Sequence, residues 1–132
     1  MKKIETLVNE FVQCTRERRN VDYASRISVA KYNALAKRRT KIVQSINKYH
    51  HDRIDSFLAL LDCDEWDVRV ACAVYTIHYI SCTEEQRQSA IRLIKKYVEE
   101  AADPIEASAF RMNLKDWEAS SISSPDSQAN VP

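Results

Sequence analysis

The sequence of 132 residues contains no glycine, whereas average usage of about 7% would supply roughly nine. Glycine takes positive φ at little cost, so its absence excludes the usual forms of phosphate-binding glycine loops, dinucleotide fingerprints and nucleophile elbows. Tight two-residue hairpin turns are disfavoured for the same reason. The composition therefore favours a helical protein without the common nucleotide or hydrolase chemistries.

A long apolar run and a strong net charge are also missing. No segment approaches the ~20 apolar residues of a membrane-spanning helix, and the first residues lack an apolar signal region. Lys and Arg number 20 against 19 Asp and Glu, a formal charge of +1, so no overall field attracts nucleic acid or a membrane. We therefore expect a cytoplasmic protein with no membrane association.

The four cysteines form no C-x-x-C pair, and we expect mostly buried, free thiols. His78 and Cys82 have the i, i+4 spacing of two zinc ligands, but no spacing supplies two more. Cys72 and His78 are six apart on one helix, so they point to different sides and do not form a nucleophile–base pair. The sequence predicts no catalytic residue, no metal and no cofactor, and hence no enzyme.

Six segments carry apolar residues at helical three-four spacing, and no strand pattern competes with them. Their connections are short, which implies antiparallel neighbours. We predict an all-α fold of five or six antiparallel helices, as a HEAT-like short solenoid or a compact bundle. The segments lie at about 4–20, 23–48, 54–61, 65–80, 84–101 and 104–118.

Helix starts are marked by residues whose side chains can accept backbone N–H groups. We expect Asp22 and Asp64 to cap the second and fourth helices. Thr83 should open the fifth helix as a capping box with Gln86, and Pro104 should be the first position of the last helix.

The fourth segment is apolar on nearly all sides, so it should form the central helix. In the last helix, two adjoining faces are apolar: Ile105, Ala109 and Met112 on one, and Phe110, Leu114 and Trp117 on the other. The serine-rich composition after residue 118 offers almost nothing to bury. We therefore predict one helical domain over residues 1–118 and a disordered tail over 119–132.

Three stretches stand out together: Lys31-Tyr32-Asn33, the run from Leu60 to Ala73, and the closing helix from Ala107 to Trp117. In order and spacing they resemble a family of small bacterial helical proteins catalogued as a domain of unknown function with a HEAT-like fold, and the resemblance covers about residues 25–118. In HEAT-type repeats an Asp turn precedes Val-Arg, here Val68-Arg69, with Val packed inward and Arg bridging turns. Cys63 stands where the family tends to have His, and the turn lacks proline, so no chemistry is carried over.

Charge is unevenly distributed along the chain. Nine basic residues lie between Thr15 and Lys41, with only two acids, whereas six acids lie between Asp52 and Asp67, with only Arg53. The basic set of Lys37, Arg38, Arg39 and Lys41, with Arg16, Arg18 and Arg19, has the pattern of a solvated helix face, although such a face can also contact phosphates. The acidic turn can form a rim around Trp66, an aromatic anchor of the kind that interfaces favour.

We therefore predict a non-catalytic module that binds another protein. Since comparable small helical proteins often occur as immunity partners of bacterial toxins, the sharpest version is an immunity or antitoxin-type protein that neutralises a cognate toxin. The alternatives are a regulatory or scaffold adaptor and a weak nucleic-acid binder acting through the basic second helix. The expected partner-binding residues are Asp62, Asp64, Glu65, Trp66, Asp67, Arg69, Tyr32 and Asn33.

Overall fold

The fold is all-α, as the sequence predicts. In the computed structural model, the backbone is described for residues 2–20 and 25–130, and the side chains for residues 2–19 and 25–119. Within these ranges there are six α helices and no strand. The helices are α1 (Ile4–Glu17), α2 (Arg26–Tyr49), α3 (Asp55–Leu58), α4 (Trp66–Tyr79), α5 (Glu84–Glu100) and α6 (Pro104–Asn130).

The contacts divide the chain into two compact units, residues 1–81 and 82–132. The first holds α1 to α4 together with short 3-10 turns, and the second holds α5 and α6. The domain boundary at residue 118 stays a prediction. None of the helices in the described part is long and apolar enough to cross a bilayer.

In the first unit, α1 packs against α2, α3 and α4, and α4 also packs against α2 and α3. The rings of Phe11 and Phe57 meet edge to face at 5.0 Å in this core, and both side chains are fully buried. Val68 and Cys72 place α4 against the same core. Burying an aromatic or branched side chain stabilises a fold by about 1.5–3 kcal/mol, so this cluster supplies much of the driving force.

The start of α2 and the start of α4 differ from the sequence prediction. Asp22 lies outside the described residues, and the side chain of Ser25 caps α2 by accepting the Ser28 amide at 3.2 Å. The prediction that Asp64 caps α4 is wrong, because Glu65 is the N-cap residue and makes no side-chain cap bond. The Glu65 carboxylate is instead turned towards α1, as described below.

The second unit confirms the two predicted helix starts. Thr83 accepts the Gln86 amide at 3.1 Å, and the Gln86 side chain accepts the Thr83 amide at 2.9 Å, which is a complete capping box. Asp103 likewise accepts the Glu106 amide at 2.8 Å where α6 begins.

Packing of α6 on α5 buries one of its two apolar faces. Ala107, Leu114 and Trp117 are buried, whereas Ile105 is 84% and Met112 70% exposed. The face of Ile105, Ala109 and Met112 is therefore the exposed one of the two apolar faces that the sequence shows. The helix continues to Asn130 through most of the segment that the composition assigns to a tail, and the disorder of that tail stays a prediction.

Candidate functional site

Two acids of the predicted binding turn contact arginines at the end of α1. Glu65 pairs with Arg16 (Nη2 to Oε2, 2.6 Å) and with Arg19 (Nη2 to Oε1, 2.5 Å). Arg19 also holds Asp67 through two hydrogen bonds, from Nε to Oδ2 and from Nη2 to Oδ1 (2.7 Å). These four residues form the arginine clamp, which joins α1 to the start of α4.

The clamp shifts the protonation equilibrium of its members. Hydrogen bonds from Arg16 and Arg19 lower the pKa of Glu65 to about 2, and the bond to Glu65 raises the pKa of Arg16. The pairs are partly solvated, with 31% of the Glu65 side chain and 44–48% of the two arginines exposed. Ion pairs this exposed are individually weak, but a bidentate network fixes the position of α1 against α4.

Arg69 bridges the turn before α4 and the first turn of that helix. Its Nε donates to the Leu61 carbonyl oxygen at 3.0 Å, and its guanidinium lies 4.3 Å from the centre of the Trp66 ring. Val68, beside it, is 1% exposed and packs inward. Arg69 therefore holds the turn before α4 and covers the half-buried Trp66.

The other predicted patch also meets the end of α1. Arg18 places its guanidinium 3.8 Å from the centre of the Tyr32 ring on α2. Tyr32 is half-buried, and the neighbouring Asn33 is exposed. Arginines at the end of α1 and in the 3-10 turn that follows it thus contact both predicted patches, one on α2 and one at the start of α4.

The eight predicted site residues now fall into two groups. Glu65, Asp67, Arg69, Trp66 and Tyr32 make contacts within the first unit, so a partner would compete with those contacts. Asp62, Asp64 and Asn33 are exposed. A role in binding stays a prediction for all eight.

The long helix α2 is strongly basic. Its 24 residues include seven cations and no acid. All but one of these cations are exposed: Arg26, Lys31, Lys37, Arg38, Lys41 and Lys48. The predicted solvated face is therefore present, but Arg39 does not belong to it.

Arg39 is 5% exposed and lies in the core between α1, α2 and α4. Its Nη1 donates to Thr15 Oγ1 at 3.1 Å, its Nε has no partner, and its charge faces the rings of Tyr75 and Phe11 at 5.0 and 5.8 Å. No described carboxylate pairs with it. Arg39 lies four residues after Leu35 and four before Val43, a spacing that places it on the buried apolar stripe of α2. Sequence reasoning overlooked this spacing because Arg39 belongs to a run of basic residues.

A groove between α1 and α2, which sequence reasoning missed, has a volume of about 520 Å³. Leu7 and Ile42 form its floor, and Tyr49, 49% exposed, stands at its wall. The rim is charged. The eight lining residues are Lys2, Leu7, Glu10, Arg38, Lys41, Ile42, Ser45 and Tyr49.

All four thiols are free, and three of them are poorly suited to nucleophilic chemistry. Burial raises the pKa of Cys14, Cys72 and Cys82, so the reactive thiolate is disfavoured at each. The Cys72 thiol donates to the Phe57 carbonyl oxygen at 3.3 Å. Among the described residues, no group of three or more His, Cys, Asp and Glu side chains is placed to hold a metal ion.

Comparison of the chain with protein-family models, curated proteins and solved structures found no match.

Proposed function

We propose that this chain is a non-catalytic module that binds another protein. The observation that carries the proposal is the surface of α2, which has six exposed cations and no acid. Two of these cations, Arg38 and Lys41, line a groove with an apolar floor. Charge of one sign steers a partner and fixes its orientation, while apolar contact supplies affinity. The exposed Asp62 and Asp64 add a second, oppositely charged region on the same unit.

In its sharpest form the proposed role is that of an immunity or antitoxin-type protein, which occupies or masks a site on a cognate toxin in the cytoplasm. The clamp and the Arg69 bridge support this role, because they fix the turn at Asp62 and Asp64 before a partner arrives. A rigid surface loses less entropy on binding. The HEAT-like family resemblance remains part of this proposal.

Co-expression with the product of the adjacent open reading frame tests the role. We expect a stoichiometric complex by size-exclusion chromatography and protection of cells from that product. The double variant Asp62→Lys/Asp64→Lys should weaken the complex, whereas Lys96→Glu on α5 serves as an exposed charge reversal in the other unit. Absence of both binding and protection would refute the immunity role, and binding without protection would favour an adaptor.

Nucleic-acid binding is the second candidate, because the same α2 surface could neutralise phosphates. Affinity for RNA or DNA would then fall steeply between low and physiological salt, and Lys37→Glu/Lys41→Glu would abolish it. Arg39 is not a suitable test position, because its side chain is buried. Weak affinity that is the same for the wild type and for Lys37→Glu/Lys41→Glu would exclude nucleic-acid binding as the function.

A further inference from the structure

We propose that the groove between α1 and α2 is the docking site for an acidic segment of the partner protein. The segment places an apolar side chain on the groove floor and carboxylates on the cations of the rim. This inference rests on the proposed function, and it adds the surface and the chemistry of the segment that the surface recognises.

The volume and floor of the groove suit one large apolar side chain with its flanking backbone. About 520 Å³ lies within the range of roughly 300–1,000 Å³ that is typical of ligand pockets. Leu7 and Ile42 are each 6% exposed, so the floor is fixed by the core beneath it. Tyr49 has half of its side chain in solvent and gains a contact partner when the groove is filled.

The rim carries three cations, Lys2, Arg38 and Lys41, and a single carboxylate, Glu10. Glu10 is shared between Lys2 (2.6 Å) and Arg38 (3.3 Å), and the bond from Lys2 is the main cause of its lowered pKa. Lys41 pairs with no carboxylate among the described residues. The rim therefore has an excess of positive charge that incoming carboxylates complement.

The floor and the rim together favour a peptide over a nucleic acid. A strand of RNA or DNA brings phosphates and stacking bases, and it uses cations along a track with aromatic platforms. Here the cations surround an apolar floor instead of following a track. A groove between two helices with apolar contacts at its base is a recurring site for an amphipathic segment.

Selection from a displayed library of random peptides, each about twelve residues long, tests this without knowledge of the partner. Selection on the full chain, with counter-selection on Lys41→Glu, should enrich peptides that carry Asp or Glu beside Leu, Phe or Trp. In fluorescence anisotropy, Lys41→Glu and Ser45→Trp should each weaken the selected peptide about tenfold or more. Lys96→Glu should leave its affinity within about twofold.

Circular dichroism melts that match between the variants and the wild type exclude misfolding as the cause. The inference would be overturned if no selected peptide depended on Lys41, or if the selected peptides were neutral or basic. It would also be overturned if short RNA bound more tightly than the peptides and lost its binding in the same variants. If a natural partner bound the Lys41→Glu and Ser45→Trp variants with the affinity of the wild type, the groove would not be the docking site, but the proposed function would stand. Peptides that depend on the groove, together with no protection from a toxin, would instead refute the immunity role.

Discussion

Replacement of Arg39 by methionine should raise the free energy of unfolding of the first unit. The Arg39 guanidinium is removed from water, donates one hydrogen bond to Thr15, and has no described carboxylate partner. A buried charge without an opposite charge costs several kcal/mol of desolvation. The side chain persists because the rest of the core stabilises the fold, and because Phe11 and Tyr75 offer it the faces of their rings.

The expected size of the effect follows from what methionine keeps and loses. The lost hydrogen bond is worth about 1 kcal/mol, and the cation–π contacts about 1–2 kcal/mol. Thr15 still donates to the Phe11 carbonyl oxygen at 3.0 Å, so its hydroxyl keeps one hydrogen bond although its oxygen loses the donor that Arg39 supplied. Methionine fills a similar volume and makes favourable contacts with aromatic rings. Removal of the desolvation cost outweighs these losses, so the free energy of unfolding should rise by about 1–3 kcal/mol.

Urea unfolding followed by tryptophan fluorescence measures the gain. The chain has two tryptophans, Trp66 in the first unit and Trp117 in the second, so a Trp117→Phe background makes the signal specific to the first unit. Arg39→Lys is the control, because it keeps a buried charge but loses the planar stacking group, and it should be less stable than wild type. A loss of more than about 1 kcal/mol in Arg39→Met would refute the reasoning, since it would mean that the charge is compensated.

Three further predictions concern the clamp, a helix cap and a thiol. Because the pKa of Glu65 is about 2, below its ordinary 4.5, its contribution to stability is present above pH 4.5 and is lost as the pH falls towards 2. Glu65→Gln should therefore be less stable than wild type at pH 7, with a difference in urea midpoint that shrinks on acidification. Thr83→Ala should lower the stability of the second unit by about 1 kcal/mol, as measured by Trp117 fluorescence in a Trp66→Phe background. Cys72 should react with iodoacetamide only after unfolding, as followed by mass spectrometry, because it is fully buried and its pKa is raised.

Each of these has a result that would contradict it. A Glu65→Gln difference that stays constant from pH 7 to pH 2.5 would mean that the carboxylate charge does not act through the clamp. Thr83→Ser keeps the hydroxyl and should restore the stability that alanine removes, so equal loss in both would argue against the cap. Alkylation of native Cys72 at the rate of an unfolded thiol would show that α4 opens readily.

Local signals in the sequence predicted the helices well. The Thr83–Gln86 box and the Pro104 start depend on residues three or four apart, and the structure has both. The inward packing of Val68 and the contact of Arg69 with Leu61 are likewise local, because each lies within one turn and the helix that follows it.

The site was less predictable because its contacts join distant parts of the chain. Arg16 and Glu65 are 49 residues apart, so no spacing rule pairs them. The acidic turn alone gave no sign that Arg16 and Arg19 would occupy two of its carboxylates. The groove arises only when α1 lies beside α2. The burial of Arg39 was missed for a different reason. Its charge suggested a surface position, whereas its spacing from Leu35 placed it on the buried stripe. In α6, packing against α5 determines which of the two apolar faces is buried.

The attachment of Lys2 determines how this protein should be handled in the laboratory. Its ammonium group pairs with Glu10, its carbonyl oxygen accepts a bond from His50 Nε2 at 2.9 Å, and its side chain lines the groove. An affinity tag or fluorescent fusion joined ahead of Lys2 would emerge at the groove rim and compete with any incoming segment. Immobilisation and labelling for binding assays should therefore avoid attachment ahead of Lys2.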